Sequence, residues 1–146
     1  MNDSEESLRL ETFIPYRLMT AAEKVSLGFS KIYKEKYGLS RPEWRVLASL
    51  AQLGPTTATD IGGHSSMYKT KVSRAVRELE QRKWLMRVTN DKDRRFEQLQ
   101  LTKTGRANFS KLAALAHAYQ ANLLQTLGKQ SGLRLMELLD QLDAID

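Results

Sequence analysis

Basic side chains are concentrated in one segment of the sequence, between Tyr68 and Arg95. Its ten basic residues are Lys69, Lys71, Arg74, Arg77, Arg82, Lys83, Arg87, Lys92, Arg94 and Arg95. Its four acidic residues are Glu78, Glu80, Asp91 and Asp93, so ten minus four leaves a net charge of +6. The whole 146-residue chain also has a formal net charge of +6, so the rest of it is neutral. One basic segment on a neutral scaffold indicates a polyanion site, although a solvated charged surface would have the same composition.

The first half of this segment predicts an amphipathic helix from about Tyr68 to Arg82. One face is apolar and should lie against a core, and its residues are Val72, Ala75, Val76 and Leu79. The opposite face carries side chains that can hydrogen-bond to DNA, namely Thr70, Arg74, Arg77 and Gln81, flanked by Lys69, Lys71 and Ser73. A helix fits the major groove, where Arg reads guanine edges and hydroxyls reach bases or phosphates. The alternative is an ordinary amphipathic helix with a basic outer face.

Two short strands are predicted after this helix, Leu85–Asn90 and Phe96–Leu101. The intervening residues 91–95 form a polar, charged hairpin tip. A basic hairpin that directly follows a groove-reading helix is the arrangement of a wing.

The hairpin tip has two kinds of charged residue. We expect Lys92, Arg94 and Arg95 to contact DNA, because an Arg at such a tip can enter the narrow, negative minor groove. Asp91 and Asp93 would be unfavourable in a loop that only binds phosphates. We interpret them as orienting residues that hydrogen-bond the loop backbone or an Arg side chain.

The remaining sequence predicts helices on both sides of this region, in the order α-α-α-α-β-β-α-α. The fold class is therefore mainly α with a small β-hairpin, in a single domain over residues 1–146. The winged helix-turn-helix occupies about residues 42–102, and long apolar helices occupy about 13–36 and 103–144, with a break at Gly128–Gly132. The apolar stripes of these long helices exceed what the small lobe needs. They predict a dimerisation region, with burial in a monomer's own core as the alternative.

Several function classes are excluded by composition and motifs. The chain has no cysteine, which removes disulfides, thiolate metal sites and thiol redox sensing. We find no phosphate-binding Gly-rich loop, nucleophile elbow or acid–His cluster, so we expect neither an enzyme nor a cofactor. His64 and His117 are too far apart and too poor in partners to suggest a metal site. Without a signal peptide or spanning segment, we expect a cytoplasmic protein with no membrane partner.

Taken together in their order and spacing, the motifs resemble those of the MarR family (multiple-antibiotic-resistance regulators). They are the Trp44–Leu50 helix, Ala58-Thr59-Asp60-Ile61, Lys69-Thr70-Lys71-Val72-Ser73-Arg74, Leu79-Glu80, Asp91-Lys92-Asp93-Arg94-Arg95 and Leu101-Thr102-Lys103-Thr104-Gly105. The resemblance extends from about Ile14 to Leu142, and the wing followed by Leu-Thr-x-x-Gly is its most specific part.

This resemblance implies a homodimer on palindromic double-stranded DNA, with the terminal helices as the dimer interface. It also implies a small-molecule site between that interface and the DNA-binding lobe. The residues it places in the major groove are Lys69, Thr70, Lys71, Ser73, Arg74 and Arg77, and Arg94 or Arg95 would enter the minor groove. We therefore expect a ligand-responsive repressor, with a protein-interaction or RNA-binding winged helix as the alternative.

The sequence departs from the family pattern in two places. Gly62-Gly63 lies in the short helix where family members carry helix formers, and each Gly costs about 0.5–1 kcal/mol relative to Ala. That helix is expected to be frayed or unusually mobile. Lys83 stands where Gly is usual before the first wing strand, so it is strained if the backbone there needs a positive φ.

A candidate effector contact lies early in the first helix, at Tyr16 and Arg17. Ile14–Leu18 and Tyr37–Leu47 are most similar to family members that respond to aromatic carboxylates. Arg17 can bind a carboxylate through two parallel hydrogen bonds, which points to an aromatic carboxylate or related phenolic effector. The alternative is that Arg17 forms a salt bridge at the surface or the interface.

Overall fold

The structure, a computed structural model, describes residues 7–90 and 93–146, and for residues 90 and 93–96 it describes the backbone alone. The chain comprises two compact units, Met1–Ser40 and Arg41–Asp146. The first unit contains a short 3-10 helix, Leu10–Thr12, and the helix α1, Ile14–Tyr37. The second unit contains α2 (Arg41–Leu53), α3 (Ala58–Ser65), α4 (Lys69–Gln81), β1 (Leu85–Asn90), β2 (Asp93–Leu101), α5 (Lys103–Leu127) and α6 (Lys129–Asp143). This order confirms the predicted mainly helical fold with one hairpin.

Helix α1 ends where the sequence predicts and leaves most of its apolar surface uncovered. Gly38 adopts the left-handed conformation with φ 65°, and its N–H donates to the Lys34 carbonyl oxygen at 2.8 Å. Of the residues in α1, Ser30 and Tyr33 are buried. Ile14 and Met19 are 65% and 63% exposed. A helix with this much exposed apolar surface is incompletely packed within a single chain.

The core of the second unit forms where α2, α3 and α4 meet. The four predicted apolar residues of α4 are each 2% exposed or less, which confirms their face, and they are Val72, Ala75, Val76 and Leu79. Leu47 of α2 and Ile61 of α3 are completely buried. At roughly 1.5–3 kcal/mol for each fully buried aliphatic side chain, this contact fixes the rotation of α4 and turns its polar face outward.

The hairpin is longer than predicted. β1 has the predicted bounds, but β2 begins at Asp93 rather than at Phe96. The antiparallel pairing continues to Asn90 and Asp93 after a register shift between Thr89 and Asn90. Backbone hydrogen bonding can thus continue into residues whose polarity predicted a loop, because it does not depend on the side chain. Thr56 adds two further bonds, since its N–H donates to Leu99 O at 3.0 Å and its O accepts from Leu99 N at 2.7 Å.

The predicted break at Gly128–Gly132 is wrong in its extent. Only Gly128, with φ 89°, separates α5 from α6, and Gly132 is a buried residue within α6. A Cβ built on Gly132 would overlap the Leu124 side chain of α5. Gly132 therefore permits a close helix-to-helix approach, and the sequence pattern did not distinguish this role from that of a helix breaker.

The two departures from the family pattern have different outcomes. Helix α3 is continuous through Gly62-Gly63, and a Cβ on Gly62 would lie 3.6 Å from Val72 Cγ2 and 3.4 Å from Met67 O. Both are ordinary van der Waals distances, so there is room for a Cβ at Gly62 beside α4. Lys83 has φ 62°, so the condition on which the expected strain depended is met. For a residue with a Cβ this conformation costs about 1–2 kcal/mol.

Candidate nucleic-acid interface

A tight turn joins α3 to α4 and forms the helix-turn-helix. Helix α3 is capped at its start by Thr57, whose hydroxyl accepts the Asp60 N–H at 3.2 Å, and at its end by Ser66, which has φ 55°. The Met67 N–H then returns to the Gly62 carbonyl oxygen at 3.1 Å. This left-handed cap reverses the chain within three residues, so that α4 begins at Lys69 against α3.

The outer face of α4 brings together the six residues predicted to enter the major groove. All are exposed, and we call them the reading face: Lys69, Thr70, Lys71, Ser73, Arg74 and Arg77. They span nine positions, or about 12 Å along the axis at 1.5 Å per residue. That length matches the width of the major groove of B-form DNA. The face contains four cationic and two hydroxyl side chains, a combination suited to guanine edges and phosphates.

The predicted hairpin-tip contacts remain predictions. Asp91 and Lys92 lie outside the described residues. For Asp93, Arg94 and Arg95 the backbone belongs to β2, while their side chains lie outside the description. The roles assigned to all five therefore depend on the sequence.

Among the basic residues of the segment whose side chains the structure describes, Arg82 and Arg87 have partners within the protein. Arg82 stacks over the Trp84 ring with its Cζ 5.4 Å from the ring centroid, and its Nε lies 3.8 Å from Glu43 Oε1. Arg87 donates from Nε to Glu80 Oε2 and from Nη1 to Glu97 Oε2, both at 2.8 Å. The Glu97 hydrogen bond, together with Glu80 and against the opposing effect of burial, raises the pKa of Arg87. Sequence reasoning counted Arg82 and Arg87 as part of the basic segment and did not predict these partners.

The junction between hairpin and α5 explains the Leu-Thr-x-x-Gly motif. The Thr102 hydroxyl accepts the Gly105 N–H at 3.0 Å, which caps α5, and donates to the Lys83 carbonyl oxygen at 2.6 Å. The Thr102 N–H donates to Trp84 O at 3.0 Å. A Cβ on Gly105 would overlap that same carbonyl oxygen and would lie 2.8 Å from its carbon. The motif therefore holds the start of α5 directly against the residues that lead into β1.

Tyr16 and Arg17 lie in the first unit. Arg17 is exposed, and its Nη1 donates to the Glu11 carbonyl oxygen at 3.0 Å. Tyr16 is half-buried. The arrangement leaves both roles that the sequence suggested for Arg17, a ligand contact and a surface or interface ion pair, as predictions.

A separate cavity of about 350 Å³ lies between α2 and the end of α3. Trp44, Arg45 and His64 line it. The His64 Nδ1 lies 2.8 Å from the Oγ of Ser49, a buried residue. This hydrogen bond gives His64 a structural role as a link between α3 and α2.

Two kinds of feature are absent from the described ranges, 7–90 and 93–146. No group of three or more His, Asp or Glu side chains there is placed to hold a metal ion. Among the helices of those same ranges, none combines the length and hydrophobicity needed to cross a bilayer.

Comparison with known proteins gives a family match and a set of similar folds. Residues 39–96 match the MarR family model. The chain is 27% identical over 90 residues to an uncharacterized HTH-type transcriptional regulator, YwoH, of Bacillus subtilis. That match covers 62% of this chain and 65% of the relative, just under two thirds of its length.

The similarity of fold extends over almost the whole chain. The MarR family transcriptional regulator SPO1453 of Silicibacter pomeroyi has a TM-score of 0.83 at 28% identity, covering 96% of this chain and 100% of its own. BpsR of Bordetella bronchiseptica, whose DNA binding is regulated by 6-hydroxynicotinic acid, has a TM-score of 0.84 at 19% identity, covering 95% and 99%. NadR in complex with 4-hydroxyphenylacetate has a TM-score of 0.78 at 21% identity, covering 90% and 95%.

These findings confirm the resemblance inferred from the sequence motifs. The family match covers α2 to the start of β2, which includes the reading face. The structural similarity adds the long helices at both ends. Residues 39–96 thus match the MarR family model, and the chain has the fold of MarR family transcriptional regulators.

Proposed function

We propose that this protein is a ligand-responsive repressor that binds palindromic operators as a homodimer. The observation that supports it most directly is the reading face, whose six polar side chains are exposed on α4 while the apolar residues of the same helix are buried. Half of the DNA contacts in complexes of this type go to phosphates, and the lysines of the reading face suit them. Arg74 and Arg77 lie further along the helix and suit base edges.

The exposed apolar surface supports the homodimer. On α1 it includes Ile14, Met19 and Leu27, which are 45–65% exposed. On α5 and α6 it includes Leu124, Leu127, Leu133, Leu135, Met136, Leu138, Leu139 and Leu142, which are 37–59% exposed. So many exposed large apolar side chains indicate a partner surface, and an identical subunit is the commonest partner. A two-fold dimer would place two reading faces about 34 Å apart, one turn of DNA, which is the reason to expect a palindrome.

DNA binding is tested by titrating the full chain into fluorescent duplexes taken from the intergenic DNA that flanks its own gene. We expect saturable binding with two chains per duplex. If six to ten phosphates are contacted, affinity should fall roughly 10³–10⁵-fold between about 50 and 200 mM salt. Random duplexes of the same length are the control for sequence preference. No binding to any flanking duplex at low salt would contradict the proposed function.

We propose an aromatic carboxylate or related phenolic compound as the effector. Two proteins of similar fold are associated with compounds of this kind. The DNA binding of BpsR is regulated by 6-hydroxynicotinic acid, and NadR forms a complex with 4-hydroxyphenylacetate. In this chain the candidate contacts are Arg17, whose guanidinium is exposed, and the neighbouring Tyr16. A guanidinium recognises a planar carboxylate through paired hydrogen bonds.

A thermal-shift screen of aromatic acids tests the effector class. A compound at about 100 times its Kd should stabilise the protein by about 2.7 kcal/mol, and Arg17→Ala should abolish the resulting shift in Tm. Arg9→Ala is the matched control, since it also removes an exposed Arg charge from the first unit. An unchanged Tm across the panel, or equal shifts in both variants and the parent, would eliminate this assignment.

A further inference from the structure

The inner face of the hairpin changes from apolar to charged partway along its length. Because side chains alternate along a strand, Leu85 and Arg87 of β1 share one face, as do Leu101, Leu99 and Glu97 of β2. The leucines are buried: Leu85 is 2% exposed, Leu99 1% and Leu101 6%. Beyond them, Arg87 and Glu97 occupy the same face nearer the tip, at about 40% exposure. At this point hydrophobic packing stops supporting the hairpin.

Three charged side chains from three elements meet at that boundary. Arg87 of β1 bonds Glu80 in the last turn of α4 through Nε and Glu97 of β2 through Nη1. Both bonds measure 2.8 Å and use different nitrogens of one planar guanidinium, so the two carboxylates hold it in a fixed orientation. This cluster joins the end of the helix that carries the reading face to both strands of the hairpin.

We propose that Glu80, Arg87 and Glu97 form a clamp that sets the angle between the hairpin and α4. This inference rests on the proposed function, in which the hairpin tip contacts DNA. Arg87 is then a positioning residue for those contacts. The clamp connects α4 to both strands through described side chains. The pair Thr89 and Glu97 is followed directly by the register shift.

The geometry of a lever shows why this angle matters. From Leu85 to Asn90 the strand is about 17 Å long at 3.3 Å per residue. A tilt of about 10° at its base would move the far end by about 3 Å, the length of a hydrogen bond. The minor groove is only about 6 Å wide, so a displacement of about 3 Å would disturb the entry of the tip into it. Since exposed ion pairs add little to global stability, the clamp should affect tip position far more than unfolding.

Charge provides a sharp test, because removing a carboxylate makes the protein more positive. If only overall charge mattered, Glu80→Gln and Glu97→Gln would both strengthen DNA binding. If the clamp positions the tip, both should weaken binding and make the salt dependence shallower by about one unit of slope. Glu78→Gln is the matched control, since it alters the same charge on the same helix outside the clamp, and it should strengthen binding. Arg87→Lys keeps the positive charge but removes the planar guanidinium that bonds both carboxylates. It should therefore weaken DNA binding as the two carboxylate substitutions do.

A second measurement does not require DNA. The chain has no cysteine, so spin labels can be attached at introduced cysteines, Gln81→Cys on α4 and Lys92→Cys at the tip. Distances within one chain are measured after dilution with unlabelled protein. We expect a narrow distribution that broadens in Glu97→Gln and stays narrow in Glu78→Gln, with Tm nearly unchanged. An equally narrow distribution in Glu97→Gln, or tighter DNA binding by both clamp variants, overturns the clamp. Broadening without any DNA binding would retain the clamp and reject the proposed function.

Discussion

Gly105→Ala should lower the free energy of unfolding by about 3 kcal/mol or more. The added Cβ would overlap the Trp84 carbonyl oxygen and would approach its carbonyl carbon to 2.8 Å. That carbonyl is backbone, and it also accepts the Thr102 N–H at 3.0 Å, so it cannot move without breaking the junction. The cost therefore cannot be relieved by a change of rotamer. Urea unfolding followed by circular dichroism measures it.

Gly63→Ala is the control for the Gly105 variant. A Cβ on Gly63 meets nothing within 4 Å, and the residue lies inside α3. This substitution should stabilise the protein by about 0.5–1 kcal/mol, because Ala loses less backbone entropy on forming a helix. Equal effects of the two substitutions would mean that helix propensity, rather than contact with Trp84, determines the role of Gly105.

Arg74→Ala should reduce discrimination between the operator and a random duplex by about 1–3 kcal/mol. Arg74 lies near the middle of the reading face, and its neighbours Ala75 and Val76 are 2% exposed, which fixes the direction of the face. Loss of a base contact should lower specific affinity much more than affinity for random DNA. Titration of both duplexes at a fixed salt concentration gives the ratio.

Arg134→Ala is the matched control for charge. Arg134 is exposed on α6 and pairs with Glu137 three residues later, and its removal changes the net charge by the same amount. It should leave the ratio of specific to random affinity unaltered. A wing substitution such as Arg94→Ala should differ again, weakening binding to all duplexes and flattening the salt dependence by about one unit. If Arg74→Ala instead lowered the affinity for the operator and for the random duplex equally, Arg74 would be a phosphate contact and not a base contact.

Several features of the fold could be predicted from the sequence, because they depend on residues that are close together along the chain. A period of 3.6 residues identified the buried face of α4, and therefore its outer reading face. The end of α1 at Gly38 followed from the left-handed preference of Gly. At Lys83 the resemblance to the family, in which Gly is usual at this position, raised a positive φ only as a condition, and the structure shows that the condition is met.

Tertiary structure decided which residues meet across the chain. Glu80, Arg87 and Glu97 lie on a helix and two strands, and their partnership depends on how the hairpin packs against α4. In the sequence, Gly105 and Gly132 cannot be distinguished from a glycine that ends a helix. The structure shows that each permits close packing, Gly105 against the Trp84 carbonyl group and Gly132 against the Leu124 side chain. Within the described part of the basic segment, the structure separates the four cationic residues of the reading face from Arg82 and Arg87, which have partners inside the protein. Composition records the number of charges, whereas their partners are set by packing between residues distant in sequence.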